Sequence, residues 1–562
     1  MGKTDIQVRE LVNMIKNGDL RLPEMQRRYV WKSTRVRDLL DSLYRGYPSG
    51  SILVWETDKE HPTQQMSVSQ KESPFAGHKL LLDGQQRLTS LTSILSGEPV
   101  TVKGKKRPIE ILFNLDHPES LYEYTEVEDD ASDDEDETDD IEDNTDDINL
   151  QERMGKLTFV VASKSLAQHK NWIAVSKVFN GMSDAEILKS AGVISFDDPR
   201  YAIYTSRIQK LKSILDYTYN MHVLPKDMSY EEVAEIFVRV NSLGVKLRGS
   251  DLALAQITSR WNNSLKLLEE FQEECEEHWM TLDFGLLVRA MVVFATDQSL
   301  FNKVSTTSIK KFQEGWEKAK EGLRYAINFL KLNANIEDES LLSSPLFFIV
   351  IAYYGMIRNC RLEPSEINKL KYWLYVANAK GRYSRGSTES ILDVDLKILK
   401  QGGSPDDLIR ALDQQFGRLT FNVQDFVGRG VGSPLFSLMF IALKTKGAVD
   451  WYSGIQLALN PIGKSHSIQY HHIFPKSLLK NKYEKSEINE LTNMAFIAGK
   501  TNLSISNKQP VEYLKNIDKQ RISDQFVPVE EELLQIDNYR AFLEKRRAML
   551  AAMVNTFVEE LI

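Results

Sequence analysis

Residues 79–95 read KLLLDGQQRLTSLTSIL, and the period of the apolar residues changes part-way along them. Lys79–Leu82 is a short apolar run of the kind a strand uses, whereas Leu88, Leu91 and Leu95 recur at helical spacing and form one stripe of a helix. Asp83, Gly84, Gln85, Gln86 and Arg87 therefore lie where a strand turns into a helix N-terminus. Backbone amides at such a terminus, together with an arginine, suit phosphate oxygens. Asp83 also reads as an N-cap with Gln86 as its reciprocal partner, a purely structural use. Capping leaves Arg87 and the doubled glutamine unaccounted for.

Outward from this turn, residues 1–255 alternate helix and strand. Ser33–Arg45 carries Val36, Leu39, Leu40 and Leu43 on one face and stops at Gly46. Ser51–Trp55 and Ile109–Phe113 read as further short strands. Pro23–Trp31 (PEMQRRYVW) sets Gln26, Arg27 and Arg28 beside Tyr29 and Trp31, a mixture able to contact a nucleotide or to form a strand edge with one salt bridge. Glu235–Leu247 (EIFVRVNSLGVKL) ends a helix that begins at Ser229, with Glu232 as capping partner, and turns at Asn241–Gly244.

A chain of 562 residues exceeds one core, and its pattern divides into 1–255, a helical connector over 256–385, and 386–562. In the connector, Trp261, Trp279, Phe284, Tyr353, Tyr354 and Trp373 read as core rather than as a base-stacking platform. Hydrophobic content of 42% and charged content of 27% belong to a globular protein. Leu346–Ile357 is the longest apolar stretch and falls short of the roughly 18 to 20 residues that cross a bilayer, so a buried helix and no membrane partner are expected. No secretion signal is legible before Asp19, and Cys275 and Cys360 cannot build a disulfide framework or a Cys-rich zinc site, so a reducing cytoplasm is expected. Any metal would use His, Asn or carboxylate ligands.

The net charge of −9 misleads, because Glu123–Asp147 holds 16 acidic residues and no Lys or Arg, leaving 63 acidic against 70 basic residues elsewhere. The body is mildly basic. The acidic insertion, about 123–150, is expected to be a solvated disordered loop, either a tolerated surface insertion or a DNA-mimicking stretch that screens a basic site.

Ile468–Pro510 reads IQYHHIFPKSLLKNKYEKSEINELTNMAFIAGKTNLSISNKQP. His471 and His472, at the end of a strand-like run Ser467–Tyr470, point to opposite faces, so one can bind metal while the other faces substrate. Phosphodiester hydrolysis needs a base near the attacking water and a cation that stabilises charge on the phosphate and the leaving oxygen. Neutral imidazole suits both tasks, and an asparagine carbonyl suits a hard divalent cation. A histidine pair alone carries little. With Ile-Phe-Pro behind it and asparagines downstream, it reads as a nuclease site.

His-His-Ile-Phe-Pro, followed by Leu-Thr-Asn and Asn-Leu-Ser-Ile-Ser-Asn-Lys-Gln-Pro, resembles the HNH ββα-metal nuclease domain at the C-terminus of GmrSD-type restriction proteins. The resemblance implies His471 as a metal ligand, His472 as general base, Asn493 as the residue that orients the base or shapes the loop, and Asn502 as second ligand, with Asn507 the alternative. His stands where Asp often precedes the base, and Asn where the final His often sits, which leaves the cation open between Mg²⁺ and Mn²⁺. The three N-terminal segments, in their order, resemble the ParB/sulfiredoxin-like NTPase domain of the same proteins over about residues 5–260. That implies a nucleotide site of Asp83, Gly84, Gln85, Gln86 and Arg87, supported by Gln26, Arg27, Arg239 and Asn241. No P-loop is present, so NTP use (ATP, GTP or UTP) rests on the family pattern.

The expected fold is multidomain α+β: a ParB/sulfiredoxin-like α/β N-terminal domain, a mainly helical connector, and a C-terminal helical domain containing the ββα-metal HNH motif. The implied function is an NTP-regulated, modification-dependent (type IV) endonuclease that cuts modified double-stranded phage DNA. A homodimer is a further implication. The alternatives are a nucleotide-controlled DNA-binding regulator with a non-cleaving HNH fold, and an RNA-directed nuclease toxin.

Overall fold

The computed structural model describes residues 2–24, 31–58, 61, 63–64, 78–98, 100, 108–118, 155, 157–163, 166–243, 249–278, 280–384, 386–462, 465–468, 470–505 and 507–562. The acidic insertion, Gln26, Arg27, Arg28, Tyr29, Gly244, Trp279 and the side chain of Asn241 lie outside the described residues. The chain divides into two compact units, one of residues 1–247 and 258–263, the other of 248–257 and 264–562.

The first unit begins with β1 (Gly2–Gln7), α1 (Val8–Lys16), β2 (Leu20–Pro23), α2 (Ser33–Arg45), β3 (Ile52–Thr57), β4 (Thr63–Gln64), β5 (His78–Asp83) and α3 (Gln85–Leu95). Three short strands follow, β6 (Ile111–Asn114), β7 (Phe159–Val161) and β8 (Trp172–Ala174), and then β9 (Thr218–Leu224). A six-stranded sheet has the order β1-β9-β3-β5-β2-β4, and β6 lies between β7 and β8 in a separate three-stranded sheet. β5 pairs parallel with β2 and antiparallel with β3. Its leucines, Leu80, Leu81 and Leu82, are all buried, as the unbroken apolar run requires of a strand covered on both faces.

α2 keeps the limits that its spacing predicts, ending on the left-handed Gly46. α3 differs from its predicted single stripe, because Thr89, Ser90, Thr92 and Ser93 are buried along with its leucines. Ser90 donates to the Gln86 carbonyl at 2.8 Å, whereas the hydroxyls of Thr89 and Thr92 are buried without a hydrogen-bond partner among the described residues.

His117, after β6, is held inside this unit in one protonation state. Its Nδ1 donates to the Pro118 carbonyl at 2.9 Å and its Nε2 accepts from the Tyr44 hydroxyl at 3.0 Å. Burial pushes the imidazole down to about 4, and Arg207, Lys210 and Arg45 oppose its charging further. An unfolded histidine takes its proton near pH 6.5, so below that pH the unfolded chain binds the proton and the folded one does not. Stability is therefore complete above about pH 6.5 and falls as pH drops towards 4, by roughly 3 kcal/mol from this residue. Melting temperatures of wild type and His117→Gln from pH 7 to 4.5 check this: the variant is expected to show the shallower acid slope.

The second unit is mostly helical. Leu346–Ile357, the apolar stretch, is a helix of its core, packed against Ile309–Asn328. Trp373, Tyr353 and Tyr354 are buried, and Cys275 and Cys360 are free thiols. Among the described residues no helix is long and apolar enough to cross a membrane. A second apolar cluster, including Ile473, Phe474, Tyr513, Tyr539 and Phe542, seats the histidine segment. There the single strand expected to run into the histidines is divided: Ser465–Ile468 pairs with Leu459–Ile462, and His471–His472 pairs separately with Met494–Ala495. The protein is thus mixed α/β, with its main sheet in the N-terminal unit and a mostly helical remainder.

Candidate functional site

The strand His471–His472 pairs with Met494–Ala495 across an excursion that carries the short helices Lys476–Leu479 and Lys485–Ile488, and the helix Gly499–Ile505 follows the second strand. In the antiparallel register His471 faces Ala495 and His472 faces Met494. Neighbouring strand residues alternate faces, and the two rings accordingly have different surroundings. His471 is buried, with Nδ1 2.6 Å from Oδ1 of Asn502 and Nε2 without a hydrogen-bond partner. His472 is half-buried, with Nε2 3.2 Å from Oδ1 of Asn489. An amide oxygen only accepts, so Nε2 of His472 donates and Nδ1 keeps its lone pair.

Burial pushes both imidazoles down to about 4, helped at His472 by the charge of Lys476 and opposed by the asparagine contacts. Both rings are neutral at physiological pH, the form that takes a proton or binds a cation. The donor set fits a divalent cation in type, since a buried imidazole and an amide oxygen converge. Among the described residues no three or more His, Cys, Asp or Glu side chains gather as a metal site. The remaining ligands would be water and substrate phosphate, as is usual for Mg²⁺.

Asn493 and Asn507 have other partners. Asn493 is fully buried; its Oδ1 accepts from Phe474 N at 2.9 Å, and its Nδ2 donates to the carbonyls of Phe474 and Ile488 at 3.1 and 3.0 Å. It shapes the loop behind the histidines and touches neither ring. Asn507 accepts from the Ser477 hydroxyl at 3.1 Å, so it is Asn502 that meets His471. Asp450 sets the helix that carries Asn502: its carboxylate accepts from Ala498 N at 2.7 Å and from the Thr501 hydroxyl at 2.8 Å.

In the N-terminal unit the Asp83–Arg87 segment does join a strand to a helix. Gly84 is the N-cap residue, at φ 99°, and no side chain caps the helix, which corrects the expectation of an Asp83–Gln86 capping pair. The left-handed conformation excludes Asp83 from that role by placing a glycine at the cap, and a Cβ on Gly84 would stand 2.5 Å from Ile52 Cδ1. Gln86 accepts instead from the Trp31 amide at 3.2 Å. The Arg87 guanidinium donates to the carbonyls of Ser49 and Ser51, at 2.5 and 2.9 Å, and to Asp83 at 3.1 Å, so it ties the α2–β3 loop to the helix start.

Residues 8–258 match the family model described as GmrSD restriction endonuclease, N-terminal domain. This GmrSD match supports a GmrSD-type family and points to restriction endonucleases. It includes Asp83–Arg87, Arg239 and Asn241 and ends before the histidines. Over 565 aligned positions the chain is also 24% identical to the uncharacterized protein MJ0686 of Methanocaldococcus jannaschii, covering 90% of this chain and 86% of that one. A span of that length runs through both the Gly84 turn and the histidine pair.

Within the residues that this model matches, Arg239 is exposed on the helix Tyr230–Leu243 and pairs with Glu235 one turn away, at 2.5 Å. Gln85 is buried at the start of α3. Sequence reasoning missed the partners that complete the turn, Ser49 and Tyr219, whose hydroxyls meet at 2.8 Å beside Arg87. It also missed Asn489 and Asp450. The Ile-Asn-Glu-Leu-Thr-Asn spacing offered a signal for Asn489, since it places two asparagines four residues apart behind the histidines. Nothing local marked Asp450.

Proposed function

We propose that this protein is an NTP-regulated, modification-dependent DNA endonuclease that hydrolyses phosphodiester bonds at a one-metal HNH-type site, in defence against phage DNA. The observation that carries the reading is the pairing of each histidine with its own asparagine: His471 with Asn502 at 2.6 Å and His472 with Asn489 at 3.2 Å. His471 and Asn502 would hold Mg²⁺ or Mn²⁺, which when bound stabilises charge on the phosphate and the departing oxygen. His472, neutral and with Nδ1 unprotonated, takes the proton of the attacking water. Asn489 fixes its ring through Nε2, and Asn493 keeps the loop in shape.

Nucleotide control is assigned to the N-terminal unit, on the family match and on the strand–glycine–helix turn at Asp83–Arg87. Because the side chain of Arg87 is committed to Ser49, Ser51 and Asp83, a bound phosphate would move this loop along with the arginine. Such a coupled turn suits a switch better than a rigid pocket.

The test is incubation of a panel of modified phage DNAs and unmodified plasmid with Mg²⁺ or Mn²⁺, with and without ATP, GTP or UTP. Cutting of modified DNA alone, changed by one of the nucleotides, is the expected result. Binding without cutting of any DNA would leave a regulator, and cutting of RNA alone a nuclease of another class; either outcome overturns the proposal.

A further inference from the structure

Two lysines on the rim of the histidine site have no carboxylate partner among the described residues. Lys476 opens the helix Lys476–Leu479, four positions after His472, and is exposed. Its charge is felt at the His472 ring. Ser477, next to it, donates to Asn507 at 3.1 Å, which ties this segment to the one that carries Lys508. Lys508 is also exposed, and its ammonium lies 3.4 Å from the Ser504 carbonyl on the helix that bears Asn502. The two lysines therefore stand on segments that flank the His471–Asn502 contact and are bonded to each other.

Acidic groups nearby have cations of their own. Asp537 pairs with Lys482 at 2.8 Å, Glu487 with Arg540 at 2.7 Å, and buried Glu490 with Arg547 at 2.7 Å. Asp450 is buried and held by neutral donors, so the exposed charges left without an oppositely charged partner among the described residues beside the histidines include these two lysines. A pair of exposed ammonium groups near neutral imidazoles is suited to a polyanion, and phosphate contacts of this kind fix the register of a nucleic acid without reading its sequence.

We propose that Lys476 and Lys508 form a clamp that lays the phosphate backbone of DNA across the histidine site, with the Ser477–Asn507 hydrogen bond setting their spacing. The clamp rests on the nuclease reading for its purpose, but its binding can be measured without cleavage. Asn507 then serves as a strap of the clamp.

The experiment uses the full chain and a fluorescent DNA duplex in EDTA, with affinity followed against KCl concentration. The double variant Lys476→Gln/Lys508→Gln is expected to bind about tenfold more weakly at 0.1 M salt, with a slope of log affinity against log salt shallower by about 1.8, close to 0.9 for each lost phosphate contact. Ser477→Ala is expected to lose part of the affinity while keeping the slope. Lys311→Gln/Lys318→Gln, on an exposed face of the helix Ile309–Asn328, controls for net charge and should leave the slope unchanged. An unaltered slope in the clamp variant overturns the proposal, even where His472→Ala abolishes cutting and the nuclease reading stands. A lysine-dependent slope in a wild type that cuts no DNA supports the clamp and sinks the nuclease reading instead.

Discussion

Replacement of His472 by alanine is expected to slow cleavage of any DNA that the protein cuts by about a thousandfold, the middle of the range for a general base. Folding should survive, because the half-buried ring makes one long hydrogen bond, 3.2 Å to Asn489, among the described residues. Asn489→Ala should cost less, roughly tenfold to a hundredfold, since it frees the ring to turn without removing the base. In the His472→Ala background it should cost almost nothing more, because a residue that acts only by orienting another has no effect once that other is gone. With burial holding the ring near 4, the base is unprotonated throughout the neutral range, so the rate should not fall between pH 8 and 6. Single-turnover cleavage of the preferred DNA by the four proteins checks all of this. A His472→Ala protein that cuts at the wild-type rate would remove the ring from the reaction, and additive losses in the double variant would remove Asn489 from its orienting role.

The strand and helix at residues 78–95 were legible because the apolar period changes at Asp83, and α2 because its stripe and its glycine stop agree. The burial of α3 on all sides was not legible. Threonine and serine read as polar in a sequence, yet Ser90 satisfies its hydroxyl within the helix while Thr89 and Thr92 are covered with theirs unpaired among the described residues, and only the packing of neighbours shows this. The apolar stretch at 346–357 was read correctly as a core helix, since its length settles that question without any knowledge of what surrounds it.

At the candidate site the sequence placed the histidines on a strand and the asparagines after it, but could not distribute the asparagines. Asn489, Asn493, Asn502 and Asn507 are chemically identical, and which one meets a histidine depends on where the loop from Pro475 and the helix Gly499–Ile505 bring it. The structure gives Asn489 to His472, Asn502 to His471, Asn493 to the loop backbone and Asn507 to Ser477. Arg87 presents the same difficulty in reverse. An arginine at a helix start suggests a phosphate, but the carbonyls of Ser49 and Ser51 come from a loop more than thirty residues earlier, and each takes one of its donors.

Arg546→Met is expected to destabilise the second unit by about 4 kcal/mol and to take the histidine site with it. Arg546 is fully buried in the helix Tyr539–Glu559 and donates to four backbone carbonyls. Nη1 reaches Thr492 and Met494, each at 2.7 Å, Nε reaches Phe526 at 3.1 Å, and Nη2 reaches Gln525 at 3.2 Å. Burial lowers its pKa to about 9, which marks how far this cation has been withdrawn from water. Methionine fills much of the volume but donates nothing, leaving four buried carbonyls that each cost about 1 to 3 kcal/mol when unpaired. Relief of the buried charge offsets part of that sum. Thr492 and Met494 flank Asn493, and Met494 is the strand partner of His472, so two of the carbonyls that lose their donor belong to the segment paired with the histidine strand. Arg546→Lys keeps the charge but not the planar fork, and should fall between the two. Denaturant melting and cleavage should therefore decline together in the order wild type, lysine, methionine. A methionine variant that melts like wild type would show that the carbonyls find other partners, and that the strand pair does not depend on this arginine.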